Sequence, residues 1–248
     1  MTKKPVVISV CSGKGGVGKS FITCNLAYLF SGRYKTLIWD ADIDFPNQHI
    51  LFGVEPPFRF NDFYKKHLDL KKYFYNLRDN LYLAAGMPGE GVERKKKDLI
   101  ILNAYEEIQN FDYFDFIFID TASGINSETI QCCAISDLIC LVVSDEPTSL
   151  LDGYGFIKFL NGKINTQKVA LLINNVIDSD DAEEIKTKFN LATSKFLKIS
   201  INILGTVPYN KKVRSSILQQ EPYVRVHKND DTTKNFLNLA SIIGTRFL

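Results

Sequence analysis

Residues 12–20 read Ser12-Gly13-Lys14-Gly15-Gly16-Val17-Gly18-Lys19-Ser20. From Gly13 to Ser20 the pattern is G-x-x-x-x-G-K-S. An apolar run, Val6–Val10, precedes it, and an amphipathic stretch with Phe21, Ile22, Cys24, Leu26, Ala27, Leu29 and Phe30 follows. Strand, glycine loop and helix, in that order, form the context in which this pattern binds phosphate. Each residue type has a physical reason. Glycine leaves positive φ open and lets backbone close around an anion. Successive N–H groups then make an anion nest, and the helix starting near Lys19 turns its positive end toward it. Lys19 is expected to reach terminal phosphates, and the Ser20 hydroxyl to hold a magnesium ion. Gly13, Lys14, Gly15, Gly16, Val17, Gly18, Lys19, Ser20 and Phe21 are thus the candidate nucleotide-binding residues of this segment.

Outward from the loop, strand-like runs alternate with helical ones. The strands are expected at Val6–Val10, Thr36–Asp40, Leu81–Ala85, Phe116–Asp120, Leu138–Val143, Val169–Ile173 and Ile203–Val207. Helices are expected at Lys19–Phe30, Ser127–Ala134, Ser149–Leu160, Ala182–Lys195 and Thr232–Phe247. Several strand runs are apolar throughout, as strands covered on both faces are. The expectation is an α/β fold: one domain over residues 1–248, a doubly wound, mostly parallel sheet of about seven to eight strands, helices on both faces. In such sheets ligands bind beyond the carboxyl ends of the strands.

Composition adds exclusions. The 248 residues are 45% hydrophobic and 23% charged, with a net charge of +2. That balance gives no general reason to expect nucleic acid. The five cysteines form no C-x-x-C pair, so reduced, unbridged, buried roles are expected. No apolar run reaches the roughly 20 residues of a membrane span, and the first residues lack a signal-peptide core. A cytoplasmic location is the expectation. Lys95–Lys97, after a loop at Glu90–Glu93, is expected to be solvated. The apolar face of Thr232–Phe247 is expected to join the core, since an interfacial helix carries more cations.

Strand exits carry the remaining chemistry. Asp40-Ala41-Asp42-Ile43-Asp44-Phe45-Pro46-Asn47 follows one strand, and Asp120-Thr121-Ala122-Ser123-Gly124 follows another. Carboxylates there can hold magnesium directly or through water, or orient an attacking water. Asp40 and Asp120 join Ser20 as candidate metal residues.

Lys14 inside the loop resembles the deviant Walker A motif of the MinD/ParA superfamily. Three further stretches, Asp120–Ile125, Asp145–Tyr154 and Leu204–Asn210, resemble the FlhG (FleN/YlxH) branch. The resemblance covers nearly the whole chain. It implies an ATPase that dimerises around Mg-ATP, with Lys14 reaching the partner's phosphates. It implies that Asp42 acts on the attacking water, so Lys14, Lys19 and Asp42 are the catalytic candidates. Asn47 would touch the water or phosphates, Gly124 N–H the γ-phosphate, and Asn174 and Pro208 the adenine. Asp44 stands where the family has glycine, which points to slow or partner-stimulated hydrolysis. The implied role is positioning or regulating a structure such as the flagellum or division site, through a protein partner. Transient attachment to the inner face of the membrane is a further implication. Three alternatives stand beside it: a nucleotide-locked scaffold with little turnover, a ParA-type partition ATPase binding DNA near Lys211, Lys212 and Arg214, and an iron–sulfur carrier. The last is disfavoured by the missing C-x-x-C.

Overall fold

The structure is a computed structural model that describes residues 4–59, 69–86 and 94–247, with side chains from residue 101 onward in the last span. Eight strands form a single sheet: β1 (Val6–Cys11), β2 (Thr36–Asp40), β3 (Phe74–Arg78), β4 (Leu81–Ala84), β5 (Phe116–Asp120), β6 (Leu138–Ser144), β7 (Val169–Val176) and β8 (Asn202–Pro208). Their order is β3-β4-β2-β5-β1-β6-β7-β8. Every pairing is parallel except β3 with β4. The helices are α1 (Lys19–Phe30), α2 (Gln48–Leu51), α3 (Arg94–Asn110), α4 (Ser127–Ile135), α5 (Pro147–Leu160), α6 (Ser179–Ala192), α7 (Lys212–Leu218), α8 (Tyr223–Val226) and α9 (Asp231–Phe247). All seven expected strands form. β3 is the addition, an antiparallel edge strand.

Side-chain alternation explains the two coats of helix. In β1, Ile8 and Val10 pack with Ile22 and Leu26 of α1 and Phe236, Leu239 and Ile243 of α9. Val7 faces the other way, with Trp39, with Ile101 and Ala104 of α3, and with Cys132 of α4. Farther along, Ile139, Leu141 and Val143 of β6 pack with Phe156 of α5 and Phe189 of α6. Strands buried on both sides need the continuous apolar runs that the sequence shows. The buried face of α9 confirms its expected place in the core. All five cysteines are free and buried. The loop expected at Glu90–Glu93 lies outside the described residues, and Lys95–Lys97 fall in α3, where the backbone alone is described. Among the described residues, no helix is long and apolar enough to cross a membrane.

β1 sits centrally, between β5 and β6. The chain leaves it toward β2 on one side, while β6, β7 and β8 build the other. The glycine loop therefore opens where the winding reverses, the usual place for a ligand in this architecture.

Candidate functional site

The loop between β1 and α1 is built on glycine for two separate reasons. Gly16 and Gly18 have φ of 80° and 97°, a region that L side chains rarely adopt. Gly13 and Gly18 also lack room. A Cβ at Gly13 would collide with the Asp152 carbonyl of α5, and one at Gly18 with the Asn174 amide. Asn174 closes the loop from β7, its Nδ2 donating to Val17 O at 2.8 Å. Lys19 is buried, and its Nζ donates to Ser123 Oγ at 2.6 Å. Burial lowers its pKa, while Asp120 and Asp42 act in the opposite sense. A phosphate anion placed beside Nζ would stabilise the ammonium.

Asp40 and Asp120 are the last residues of neighbouring strands and stand level in register. Both are buried. Burial, then Asp120, holds the Asp40 carboxyl well above the usual carboxylate range. Burial raises Asp120 to about 6 against the opposing hydrogen bonds of Ser20 and Gln48 and the charge of Lys19. The backbone N–H groups of Asn47 and Gln48 each donate to Asp40 Oδ2 at 2.9 Å. Gln48 Nε2 donates to Asp120 Oδ2 at 2.8 Å and to Ser20 O at 3.0 Å. One side of this cluster is thus satisfied. The other is not: Asp40 Oδ1, Asp120 Oδ1, Asn47 Oδ1 and Gln48 Oε1 are buried acceptors without a hydrogen-bond partner. Buried, unpaired acceptors are costly, and each costs about 1–3 kcal/mol. Two buried carboxylates side by side in register, each with a free oxygen, fit a hard divalent cation. Among the described residues no group of three or more His, Cys, Asp or Glu makes a closed metal site. Phosphate oxygens and water would complete the shell, as magnesium prefers.

Lys14 lies at the mouth. Its ammonium is paired with Glu146 and donates to Thr148 Oγ1 at 3.1 Å, both at the start of α5. The pair is half-exposed, so it contributes little to stability, and salt weakens it. Ser12 Oγ donates to Lys14 O at 2.6 Å, and Ser12 O accepts from Gly124 N at 2.8 Å. In this conformation the loop is thus tied to the segment after β5.

The family model for the CobQ/CobB/MinD/ParA nucleotide-binding domain matches residues 8–223. The chain belongs to this family. It is 30% identical over 224 residues to the antiactivator FleN of Pseudomonas aeruginosa, covering 86% of this chain and 77% of FleN. It is 26% identical to the flagellum site-determining protein YlxH of Helicobacter pylori, covering 96% of this chain and 82% of YlxH. The cell-division ATPase MinD of Pyrococcus furiosus shares the fold, with a TM-score of 0.78 at 22% identity over 97% of this chain and 98% of MinD.

Within this MinD/ParA-family chain, the structure gathers most of the candidate residues at one end of the sheet. Gly13 to Ser20, Asp40, Asn47, Asp120 and Asn174 form one connected cluster through the bonds above. Asp42 is turned partly into its own loop, Oδ1 accepting from Phe45 N at 3.0 Å. The Phe45 ring, 79% exposed, stands out from that loop. Phe21 does not present its ring to the site. The ring packs edge-on against Tyr223 and Phe236, at 6.1 and 5.6 Å between centroids, so only its backbone can serve a phosphate. Pro208 ends β8, and the loop beyond it is anchored by Asn210 Nδ2, which lies within 2.9–3.0 Å of Tyr223 Oη, Asp230 Oδ1 and Thr232 Oγ1. Lys212, one of the three cations that the DNA-binding alternative would use, is paired with Asp230 at 2.8 Å. Gln48, Ser123, Glu146 and Thr148 escaped the sequence reading as partners of the site. For Gln48 one signal was present: a polar residue opening a short helix just after a loop that leaves a strand-end carboxylate.

Proposed function

We propose that this chain is an ATP-driven switch that dimerises around Mg-ATP and positions or regulates a cellular structure through a protein partner. The likeness to FleN and YlxH favours a flagellar setting. The observation that carries the reading is Lys14. Its ammonium stands at the loop mouth, held by two exposed groups, Glu146 and Thr148, that it can exchange for a second copy's phosphates. The buried acceptors of Asp40 and Asp120 support the Mg-ATP part.

The roles follow from placement. Nest N–H groups from Gly13 to Ser20 bind and orient the phosphates. Lys19 leaves Ser123 to pair with the terminal ones. Ser20, Asp40 and Asp120 would hold the magnesium ion, which when bound neutralises charge on the phosphate oxygens. Asp42 gives up Phe45 N–H to orient the attacking water. Gly124 N–H gives up Ser12 O to follow the γ-phosphate. Asn174 and the Pro208 loop would flank the base. The gain is positioning and electrostatics.

The test is phosphate release measured alongside light scattering, with and without ATP, on wild type, Lys14→Ala and Asp42→Ala. The switch gives ATP-dependent dimers, weakened in Lys14→Ala, and turnover abolished in Asp42→Ala. Monomers at saturating ATP in both wild type and Lys14→Ala would sink it. Asp44 favours a second reading, a nucleotide-locked scaffold, because it adds a carboxylate beside the phosphates and removes backbone freedom. Tight ATP binding without phosphate release selects that one.

A further inference from the structure

The turn between β5 and α4 is fixed on both sides of Ser123. Ala122 O accepts from Thr129 Oγ1 at 3.1 Å, and Ser123 O accepts from Asn126 Nδ2 at 3.3 Å. Gly124 N donates to Ser12 O at 2.8 Å. Asn126 in turn caps α4, its Oδ1 accepting from Thr129 N at 2.7 Å. The backbone of Ser123 is thus anchored to α4 and to the phosphate loop, while the residue itself is exposed at the site. A side chain on so well held a backbone is placed before any ligand arrives.

The hydroxyl leans over the glycine loop. It lies 2.6 Å from Lys19 Nζ and would stand 3.8 Å from a Cβ at Gly15. Lys19 is the residue that serves the terminal phosphates of a bound nucleotide. Ser123 Oγ is therefore one hydrogen bond away from the ammonium those phosphates would meet.

Counting bonds shows what the hydroxyl has left. A serine oxygen offers two lone pairs and one proton. One lone pair is used by Lys19, and no described residue accepts the proton. Among the described residues, Lys19 likewise has no hydrogen-bond acceptor besides Ser123. A buried ammonium served by one neutral oxygen is poorly compensated, so an arriving phosphate takes it. The hydroxyl then loses its lysine and retains a donor beside new negative charge. Hydrogen bonds to ionised acceptors are the strong ones.

We propose that Ser123 is a side-chain ligand of the γ-phosphate, through which the chain distinguishes ATP from ADP. Once Lys19 has moved off, the Ser123 O–H donates to a γ-phosphate oxygen. ADP ends one phosphate short. It gives Lys19 a partner and leaves the hydroxyl without an acceptor. A site built to hydrogen-bond a group rejects the ligand that lacks it. The proposal rests on the Mg-ATP reading above and adds to it the residue that reads the third phosphate.

The experiment is isothermal titration calorimetry on the full chain with Mg-ADP and with Mg-AMPPNP, whose β–γ bridge resists cleavage. Wild type, Ser123→Ala and Ser123→Thr are compared, each also in a Lys14→Ala background that weakens dimers. Ser123→Ala should bind Mg-AMPPNP at least about tenfold more weakly while its affinity for Mg-ADP is retained. Retained Mg-ADP binding also shows that the variant is folded. Ser123→Thr keeps the hydroxyl and should keep the wild-type ratio of the two affinities. Equal loss for both nucleotides assigns Ser123 a structural role and overturns the proposal. So does no loss for either, or a threonine variant that behaves like the alanine one. An effect that disappears in the Lys14→Ala background assigns Ser123 to the dimer contact and overturns it too. Wild type that binds neither nucleotide sinks the Mg-ATP reading and the proposal together. A chain that binds Mg-AMPPNP through Ser123 yet releases no phosphate from ATP sinks the switch alone.

Discussion

Gln48 does more in the site than any residue whose role was legible beforehand. Its backbone N–H supports Asp40, and its side chain joins Asp120 to the Ser20 carbonyl. Its place just past a strand-end carboxylate hints at one of these contacts only, because the three groups it joins come from the ends of β2 and β5 and from the first turn of α1. Gln48→Ala leaves Asp120 Oδ2 without its donor, a loss of about 1–3 kcal/mol. Phosphate release should fall about tenfold or more, with a raised magnesium requirement, in a titration of rate against the metal. Lys14 teaches the same lesson from the other side. The loop lysine was visible from its spacing, and its resting partners Glu146 and Thr148 were not, since they lie more than 130 positions away.

Elements were more legible than residues wherever burial dictates pattern. The apolar runs of β5 and β6 are covered on both faces, and nothing but a buried strand explains Phe116–Asp120 or Leu138–Val143. β3 was missed because Phe74-Tyr75-Asn76-Leu77-Arg78 sits at the sheet edge, half-buried and polar at Asn76 and Arg78. Its pairing with β4 supplies what its sequence lacks. At the loop between β1 and α1, packing explains glycine 13 where φ does not. Gly13→Ala should therefore abolish ATP binding with little change in fold, checked by equilibrium binding and circular dichroism. The element after β8 depends on one carboxylate. Lys212 and then Tyr223 hold the Asp230 carboxyl well below its usual range. A depressed folded-state pKa contributes stability above the unfolded value of 3.8 and loses it as pH falls through the folded one. Asp230→Asn should be less stable than wild type by about 1.5–3 kcal/mol near neutral pH. The gap should close progressively below about pH 4, in urea melts run across that range.

At the scale of the molecule, the ligand and the fold share one set of atoms. Four buried oxygens lack partners around Asp40 and Asp120, so Mg-ATP should act as a stabiliser as well as a substrate. At a hundredfold excess over its dissociation constant the gain is about 2.7 kcal/mol. The melting temperature should rise accordingly in a thermal scan, and chelating the metal should remove most of the rise. The strand order has a different consequence. β1 is the first strand made, yet its neighbours are β5 and β6, and even Val7 N donates to Asp137 Oδ2, 130 residues on. Until Asp120 has left the ribosome, the first strand has no neighbour to pair with, and Ile8 and Val10 remain open to chaperones and to aggregation. The earliest-synthesised segment, which includes the phosphate loop, thus waits for more than a hundred further residues before it can take its native shape, and nascent chains truncated before β5 should fail to retain nucleotide.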